Sequence, residues 1–246
     1  GTNALLERRG APTALFITEG FRDLLVIGNQ QRPDIFALQI DRPTPLYEQV
    51  VEVAERLDAD GASVESPDLA HVEKQAEALA KSGITSAAIA FLHSYRNVAH
   101  EHAVADVLRR AGFQHVACSA DLAPLIRIVP RAETAAVESY LSPIIATYLD
   151  DVSQHIPDRR LHVMTSAGGL VAADRFGAST SLLSGPAGGV AGAAAAGRAS
   201  GFTHLIGLDM GGTSTDVARF DGDFEYRFEH SVGDAHLLAP ALAIET

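Results

Sequence analysis

The sequence has no tryptophan and almost no cysteine. Cys118 is the one cysteine in 246 residues, which excludes an internal disulfide and suits a reducing cytoplasm. Positive charge is also scarce: 19 Lys and Arg stand against 31 Asp and Glu, a formal net charge of −12. That balance argues against nucleic acid and against an anionic membrane as partners. It leaves room for a local phosphate site made from backbone amides and a metal. No apolar run reaches the ~20 residues of a membrane span. The stretch from Gly1 to Gly10, with Glu7, Arg8 and Arg9, lacks the apolar core of a signal peptide. Tandem repeats and low-complexity tracts are missing as well. With 47% hydrophobic and 20% charged residues, the composition is that of an ordinary folded chain, expected in the cytoplasm. It opens on a helical pattern and stops at Ile244-Glu245-Thr246 without a turn signal, so it is expected to be part of a longer protein.

Local patterns predict an α/β protein. Asn3 to Arg9 is helix-like, Ala14 to Thr18 reads as a buried strand, and Gly20-Phe21-Arg22-Asp23 opens a turn into a short helix ending at Ile27. Pro33, Pro43 and Pro45 mark Gln31 to Leu46 as an extended connection. Val51, Val53 and Leu57 alternate with polar residues ahead of Asp60-Gly61 and Val64, the pattern of a half-exposed hairpin. From Pro67 helix and strand alternate. Leu69, Val72, Ala76 and Leu79 share a helix face, Ala87 to Leu92 is an apolar strand, Glu101 to Ala111 is a second helix, and His115 to Cys118 is another strand. Such alternation implies a parallel sheet covered by helices. Val137 to Leu149 keeps helical rhythm around Pro143, which predicts a kink or a restart there. The expected divisions are 1–66, 67–183 and 184–246.

Two later stretches carry the chemistry. Ser184-Gly185-Pro186-Ala187-Gly188-Gly189-Val190 begins a helix almost without side-chain bulk, with Ser184 as a candidate cap and Pro186 in the first turn. Its glycines cost stability, so they point either to close approach of a ligand or to tight helix packing. Then an apolar strand, Leu205 to Leu208, runs into Asp209-Met210-Gly211-Gly212-Thr213-Ser214-Thr215-Asp216-Val217. Glycines at the turn let backbone N–H groups approach an anion, and Thr213 and Thr215 add hydroxyl donors. Asp209 and Asp216 cannot both touch phosphate directly, but both make sense around a divalent cation or an attacking water. An ordinary Gly-Gly hairpin is the other reading.

The order of small-residue helix, strand and Asp-x-Gly-Gly-Thr loop resembles the second half of the actin, Hsp70 and sugar-kinase ATPase core. Six segments in order make the resemblance specific: Thr2-Asn3-Ala4-Leu5-Leu6-Glu7-Arg8, Gly20-Phe21-Arg22-Asp23, His93-Ser94-Tyr95 with His100-Glu101, Met164-Thr165-Ser166-Ala167-Gly168-Gly169, the Ser184 to Val190 stretch and the Asp209 to Val217 stretch. Together they are similar to the hydantoinase A/5-oxoprolinase family, which includes ATP-dependent acetone and acetophenone carboxylases. The family's Met-Gln-Ser-Asn-Gly-Gly pattern is altered here at Thr165 and Ala167. The resemblance implies an actin-like ATPase (ribonuclease H-like) core portion with parallel or mixed sheets. It implies that Asp209, Gly211, Gly212, Thr213, Thr215 and Asp216 grip nucleotide phosphate. Asp209 and Asp216 would serve Mg²⁺ and catalysis, and Gly185, Gly188 and Gly189 would lie on an interlobe helix beside ATP. The implied substrate is a cyclic amide, an imide or a ketone, and the implied partner is a hydantoinase B-type subunit. A regulatory, non-enzymatic nucleotide-binding module of the same fold is the rival.

Other candidates have simpler readings. His93, His100 and His102 could offer imidazoles to a metal, but residues two apart on a helix do not share a face, so capping hydrogen bonds are expected. Cys118 has no basic neighbour to activate it. Arg127 and Arg131 flank Pro130 and could face an anionic substrate, but a solvated helix start is the simpler reading. The acids Asp150-Asp151 at a helix end have no functional account. Family members open with a second Asp-x-Gly-Gly-Thr loop, which these residues do not contain. This chain alone is therefore expected to bind ATP weakly; a micromolar dissociation constant by calorimetry would contradict that.

Overall fold

The computed structural model describes residues 1–30, 36, 38–39, 43–156, 160–212 and 215–245. Thr2–Leu6 forms α1, Thr13–Thr18 β1, Leu24–Ile27 α2 and Gln49–Val53 β2. Arg56–Leu57 (β3) and Ser63–Glu65 (β4) pair as a small antiparallel hairpin. Alternation then sets in: Leu69–Lys81 (α3), Ser86–Ala90 (β5), Ala99–Arg110 (α4), His115–Cys118 (β6), Ser119–Leu122 (α5) and the 27-residue Ile128–Gln154 (α6). Asp68 caps α3 by accepting the His71 N–H at 3.0 Å.

The first sheet has the order β2-β1-β5-β6, and every pairing in it is parallel. β1 and β5 are buried along their whole length, as strands covered on both faces must be. Alternate residues serve opposite cores. Ala14, Phe16, Val51, Val53, Ala87 and Ile89 face Val72 and Ala76 of α3 and Val104 and Leu108 of α4. Leu15, Ile17, Ala88, Ala90 and Ala117 face Ala132, Ala135 and Ala136 of α6. Alanine against alanine lets α6 lie close to the sheet.

One sequence expectation is corrected here. Val51 and Val53 do not belong to a hairpin; they lie in β2, alongside β1, and only residues from Arg56 onward turn back. Alternation fixes which face a residue takes but not which strand is its neighbour. The sheet therefore joins strands from either side of the expected division at 66/67. The turn itself is as read: Asp58 Oδ1 accepts N–H groups from Asp60 and Ala62 at 2.9 and 2.8 Å, with Gly61 at φ +87°. Pro143 lies inside α6, which is assigned without a break.

The remainder is built from hairpins and one helix. His162–Met164 (β7) pairs with Leu170–Ala172 (β8) around Gly168, whose φ is +79°. Ser184–Ala199 is α7, followed by His204–Met210 (β9) and Thr215–Asp221 (β10). Tyr226–Arg227 (β11), His230–Val232 (β12), Ala235–Leu237 (β13), Ala241–Leu242 (β14) and Ile244–Glu245 (β15) complete the chain. A second sheet, β15-β10-β9, is antiparallel, and α7 packs on it through Ala187 and Val190 against Ala218 and Ile244, with Leu242 of β14 beside them. The far side of α6 carries Val137, Leu141, Ile145 and Leu149 against Leu5, Leu182, Val232 and Leu237, joining the two parts of the fold. Among the described residues no helix is long and apolar enough to cross a membrane.

Arg131 is the second correction. It is not solvated: its side chain and that of Glu101 are both 0% exposed, with Nη1 and Oε1 3.3 Å apart. The Arg131 guanidinium donates to the Phe91 carbonyl at 2.8 Å and to the hydroxyls of Ser94 and Ser119. Glu101 accepts the Phe91 and Ala120 N–H groups, each at 3.0 Å, and the Ser119 hydroxyl at 2.6 Å. Burial pulls the Arg131 pKa below the usual guanidinium value, and Glu101 opposes that pull. The pair thus ties α4, α6, α5 and the carboxyl end of β5 together. Removing one partner leaves the other charge buried, at a cost of roughly 3–5 kcal/mol. Arg131→Met is expected to lower unfolding stability by that amount in urea titration, while exposed Arg127→Met leaves the unfolding midpoint nearly unchanged. Equal effects from the two would contradict this assignment.

Candidate functional site

β9 and β10 form an antiparallel hairpin whose register runs from His204 opposite Asp221 to Met210 opposite Thr215. In this register Asp209 stands directly opposite Asp216. The residues alternate cleanly. Leu205, Gly207 and Asp209 of β9 share a face with Phe220, Ala218 and Asp216 of β10, because directly paired residues point the same way. This face meets α7: Leu205 lies against Gly197, and the Cβ of Ala193 approaches Gly207. The two aspartates therefore sit at the loop end of the helix-covered face.

Like charges directly opposite one another destabilise a sheet. Here no ion pair among the described residues offsets them. Asp216 is half-buried, and its Oδ1 is shielded from solvent without a hydrogen-bond partner among the described residues. Asp209 is exposed. Two carboxylates, one with an orphaned oxygen, are a donor set suited to a hard divalent cation. The loop beside them is open: Met210, Gly211, Gly212 and Thr215 are exposed. Gly212 does not take a left-handed φ, and a Cβ there would meet nothing within 4 Å. Open space at the backbone, not an unusual torsion, is what glycine contributes at that position. Thr213, expected to donate its hydroxyl, lies outside the described residues.

α7 covers the face of the hairpin that carries the two aspartates. Its buried stripe is Ala187, Val190 and Ala194. Gly185, Gly189 and Gly192 fall on the opposite face, where an added Cβ would meet nothing within 4 Å. Gly188 would make an ordinary contact with Met164 at 3.8 Å. Gly197 differs, since a Cβ there would overlap a methyl of Leu205. Tight packing thus accounts for Gly197, while Gly185, Gly189 and Gly192 leave a face of the helix open. Ser184 does not cap the helix. Its hydroxyl donates to the Ser181 carbonyl at 2.8 Å, and Leu183 is the boundary residue. The start of α7 is held instead by Ser166, which is buried in the 164–169 turn. The Ser166 hydroxyl accepts the Leu183 N–H at 3.0 Å and its carbonyl accepts the Leu242 N–H at 2.8 Å.

The remaining candidates do not converge on this site. His100 Nδ1 is 2.7 Å from Glu55, and its Nε2 is 3.0 Å from the Ser63 hydroxyl. His102 faces Asp121. His93 has a positive φ of 58° and a buried Nδ1 without a partner among the described residues. Burial, then Glu101 and Asp121, pushes the Cys118 thiol up to about 12, so it is no nucleophile. Arg127 is exposed and, with His236, holds the Glu229 carboxyl down to about 2. The buried Glu55–His100 and Glu101–Arg131 pairs were invisible in the sequence, because nothing in a polar residue's neighbours announces a partner dozens of positions away.

The open glycine face yields a stability test. Gly189→Ala is expected to stabilise α7 by up to about 1 kcal/mol in urea unfolding, since alanine is the better helix former and meets no obstacle. A loss of stability would contradict the open face.

Comparison with known proteins follows this geometry. Residues 1–112 match the hydantoinase/oxoprolinase N-terminal region, and residues 131–246 match the hydantoinase/oxoprolinase model. The whole chain is 41% identical over 271 residues to 5-oxoprolinase 1 of Arabidopsis thaliana, covering 21% of that protein. The nucleotide-free structure of acetone carboxylase superposes with a TM-score of 0.85 at 25% identity, over 99% of this chain and 37% of that one. The ATP-dependent caprolactamase of Pseudomonas jessenii superposes with a TM-score of 0.84 at 24% identity, over 100% of this chain and 37% of that one, a likeness of fold. The chain spans about a fifth of the length of the first curated relatives it matches. With two adjoining regions of one family matched in order along the chain, and a fold shared with acetone carboxylase, the chain belongs to the hydantoinase/oxoprolinase family.

Proposed function

We propose that this chain supplies one side of an ATP site in a longer, cytoplasmic enzyme that phosphorylates the carbonyl oxygen of a cyclic amide or imide, or of a ketone. The γ-phosphoryl group leaves ATP as ADP forms, and the O-phosphorylated product is activated for ring hydrolysis or carboxylation. The observation that carries this is the in-register Asp209–Asp216 pair, with the orphaned Asp216 Oδ1, beside an open Gly211-Gly212 loop. An uncompensated pair of like charges is a cost a fold keeps only for a ligand that offsets it. Asp209 and Asp216 would hold Mg²⁺, which when bound neutralises phosphate charge. The Gly211 and Gly212 backbone, with the hydroxyls of Thr213 and Thr215, would receive the phosphates. The open face of α7, marked by Gly185 and Gly189 and continued by Gly188, would lie against the nucleotide as the helix between two lobes. Catalysis would then rest on positioning and electrostatics, with the pair also orienting the reacting groups. A hydantoinase B-type subunit is the proposed partner.

In the full-length protein with that partner, hydantoin, 5-oxoproline or a simple ketone is expected to stimulate ATP turnover. Asp216→Asn is expected to lower the stimulated kcat by about 10²-fold or more while leaving the fold intact by circular dichroism. If none of these compounds changes the ATPase rate, the chain is a nucleotide-dependent regulatory module instead. If Asp216→Asn leaves kcat unchanged, the cation assignment fails.

A further inference from the structure

Outside the β9–β10 hairpin, His102, Cys118 and Asp121 come together from three elements. His102 lies in the first turn of α4, Cys118 ends β6, and Asp121 lies in α5. One ligand atom from each falls within 4.8 Å of the other two. We propose that these three side chains bind a zinc-class divalent cation, with a fourth position open to water.

The donor set argues for that class. Imidazole, thiolate and carboxylate together suit a borderline metal such as Zn²⁺, whereas Mg²⁺ favours oxygen donors alone. Zinc–ligand bonds of ~2.0–2.3 Å place tetrahedral ligands about 3.3–3.8 Å apart, so side-chain rotation from the present spacing suffices. The site has a closed side and an open one. Cys118 is 4% exposed, while the side chains of His102 and Asp121 are 48% and 53% exposed. The Cys118 sulfur has one weak contact, 3.9 Å from the Glu101 carbonyl oxygen. His102 Nε2 lies 2.9 and 3.0 Å from the two Asp121 oxygens, so two ligands are already in contact at the mouth. A cleft of about 330 Å³ on the α6 side of β6 is lined in part by the backbone-adjacent residues Cys118 and Asp121.

The scaffold holds the ligands rigidly. Glu101, next to His102 on α4, accepts the Ser119 hydroxyl and the Ala120 N–H, pinning the segment between Cys118 and Asp121 to α4. Glu101 is matched by Arg131 and Asp106 by Arg109, so Asp121 is the carboxylate left beside the thiol and His102. On binding, the sulfur–metal bond replaces the S–H bond and the proton passes to solvent. Such a cation would clip α4 to the edge strand β6.

Cobalt(II) titration of chelator-stripped, reduced protein tests this. The expected result is a near-ultraviolet thiolate-to-cobalt charge-transfer band with intense four-coordinate visible bands, saturating at one equivalent. Zn²⁺ should displace the bands and excess Mg²⁺ should not. Cys118→Ser should abolish the charge-transfer band, and His102→Ala should weaken cobalt binding at least tenfold. Should Cys118→Ser not fold by circular dichroism, His102→Ala and Asp121→Asn, both at half-exposed positions, decide the matter. Folded protein that shows no charge-transfer band, or a band that survives His102→Ala and Asp121→Asn unchanged, overturns the proposal.

Discussion

Arg131 and Glu101 meet with no exposed side-chain surface on either, and most of the first half of the molecule is organised by that contact. A buried guanidinium is tolerable only when its charge is matched and its donors are used. Arg131 Nε has no partner among the described residues, but four groups match the charge and accept from the Nη atoms: the Glu101 carboxylate, the Phe91 carbonyl and the hydroxyls of Ser94 and Ser119. Each belongs to a segment leaving the carboxyl end of the parallel sheet or to the helix covering it. The same end carries Glu55, which receives the Thr18 hydroxyl and faces His100. Strand ends that would otherwise scatter are thereby fixed, and the alanine-lined face of α6 is pressed onto β5.

From that base the chain builds a second, antiparallel sheet with a different purpose. α6 is the link, since one of its faces serves the parallel sheet and the other packs on Leu5, Leu182, Val232 and Leu237. α7 then lies on the β9–β10 hairpin through small residues, leaving a smooth glycine face uncovered. The hairpin register does the rest. Sliding one strand by a single residue would send Asp209 and Asp216 to opposite faces, and the paired carboxylates would be lost. In energetic terms the molecule keeps a like-charged pair and an unsatisfied oxygen at one end of a well-paired ladder. Both costs are local, and both are relieved by the same kind of ligand.

Much of this was legible in the chain. The helical spacing of Leu69, Val72 and Ala76, the apolar strand at Ala87 to Ala90 and the Gly-Gly turn after Asp209 all depend on short-range pattern, and pattern survives in the fold. Motifs did better than composition, because the Asp209 to Val217 stretch combines acids, glycines and hydroxyls that no packing argument requires together. Long-range choices were not legible. Val51 and Val53 alternate equally well in a hairpin or a parallel sheet, and only the neighbouring β1 decides. Arg131 reads as a surface residue until Glu101 is found beneath it. Ser184 has the chemistry of a cap, yet the Ser181 carbonyl is nearer to hand. His102 and Cys118 gave no shared signal, being sixteen positions apart on separate elements.

The account stands on one local claim: the register that sets Asp209 against Asp216 makes a cation-bearing nucleotide site. A crystal structure of the full-length protein with Mn²⁺ and a non-hydrolysable ATP analogue tests it most directly, because manganese can be located by its anomalous scattering. The account predicts an anomalous peak within coordination distance of Asp209 or Asp216, with analogue phosphates over Gly211 and Gly212. A bound analogue whose metal and phosphates lie elsewhere would contradict it.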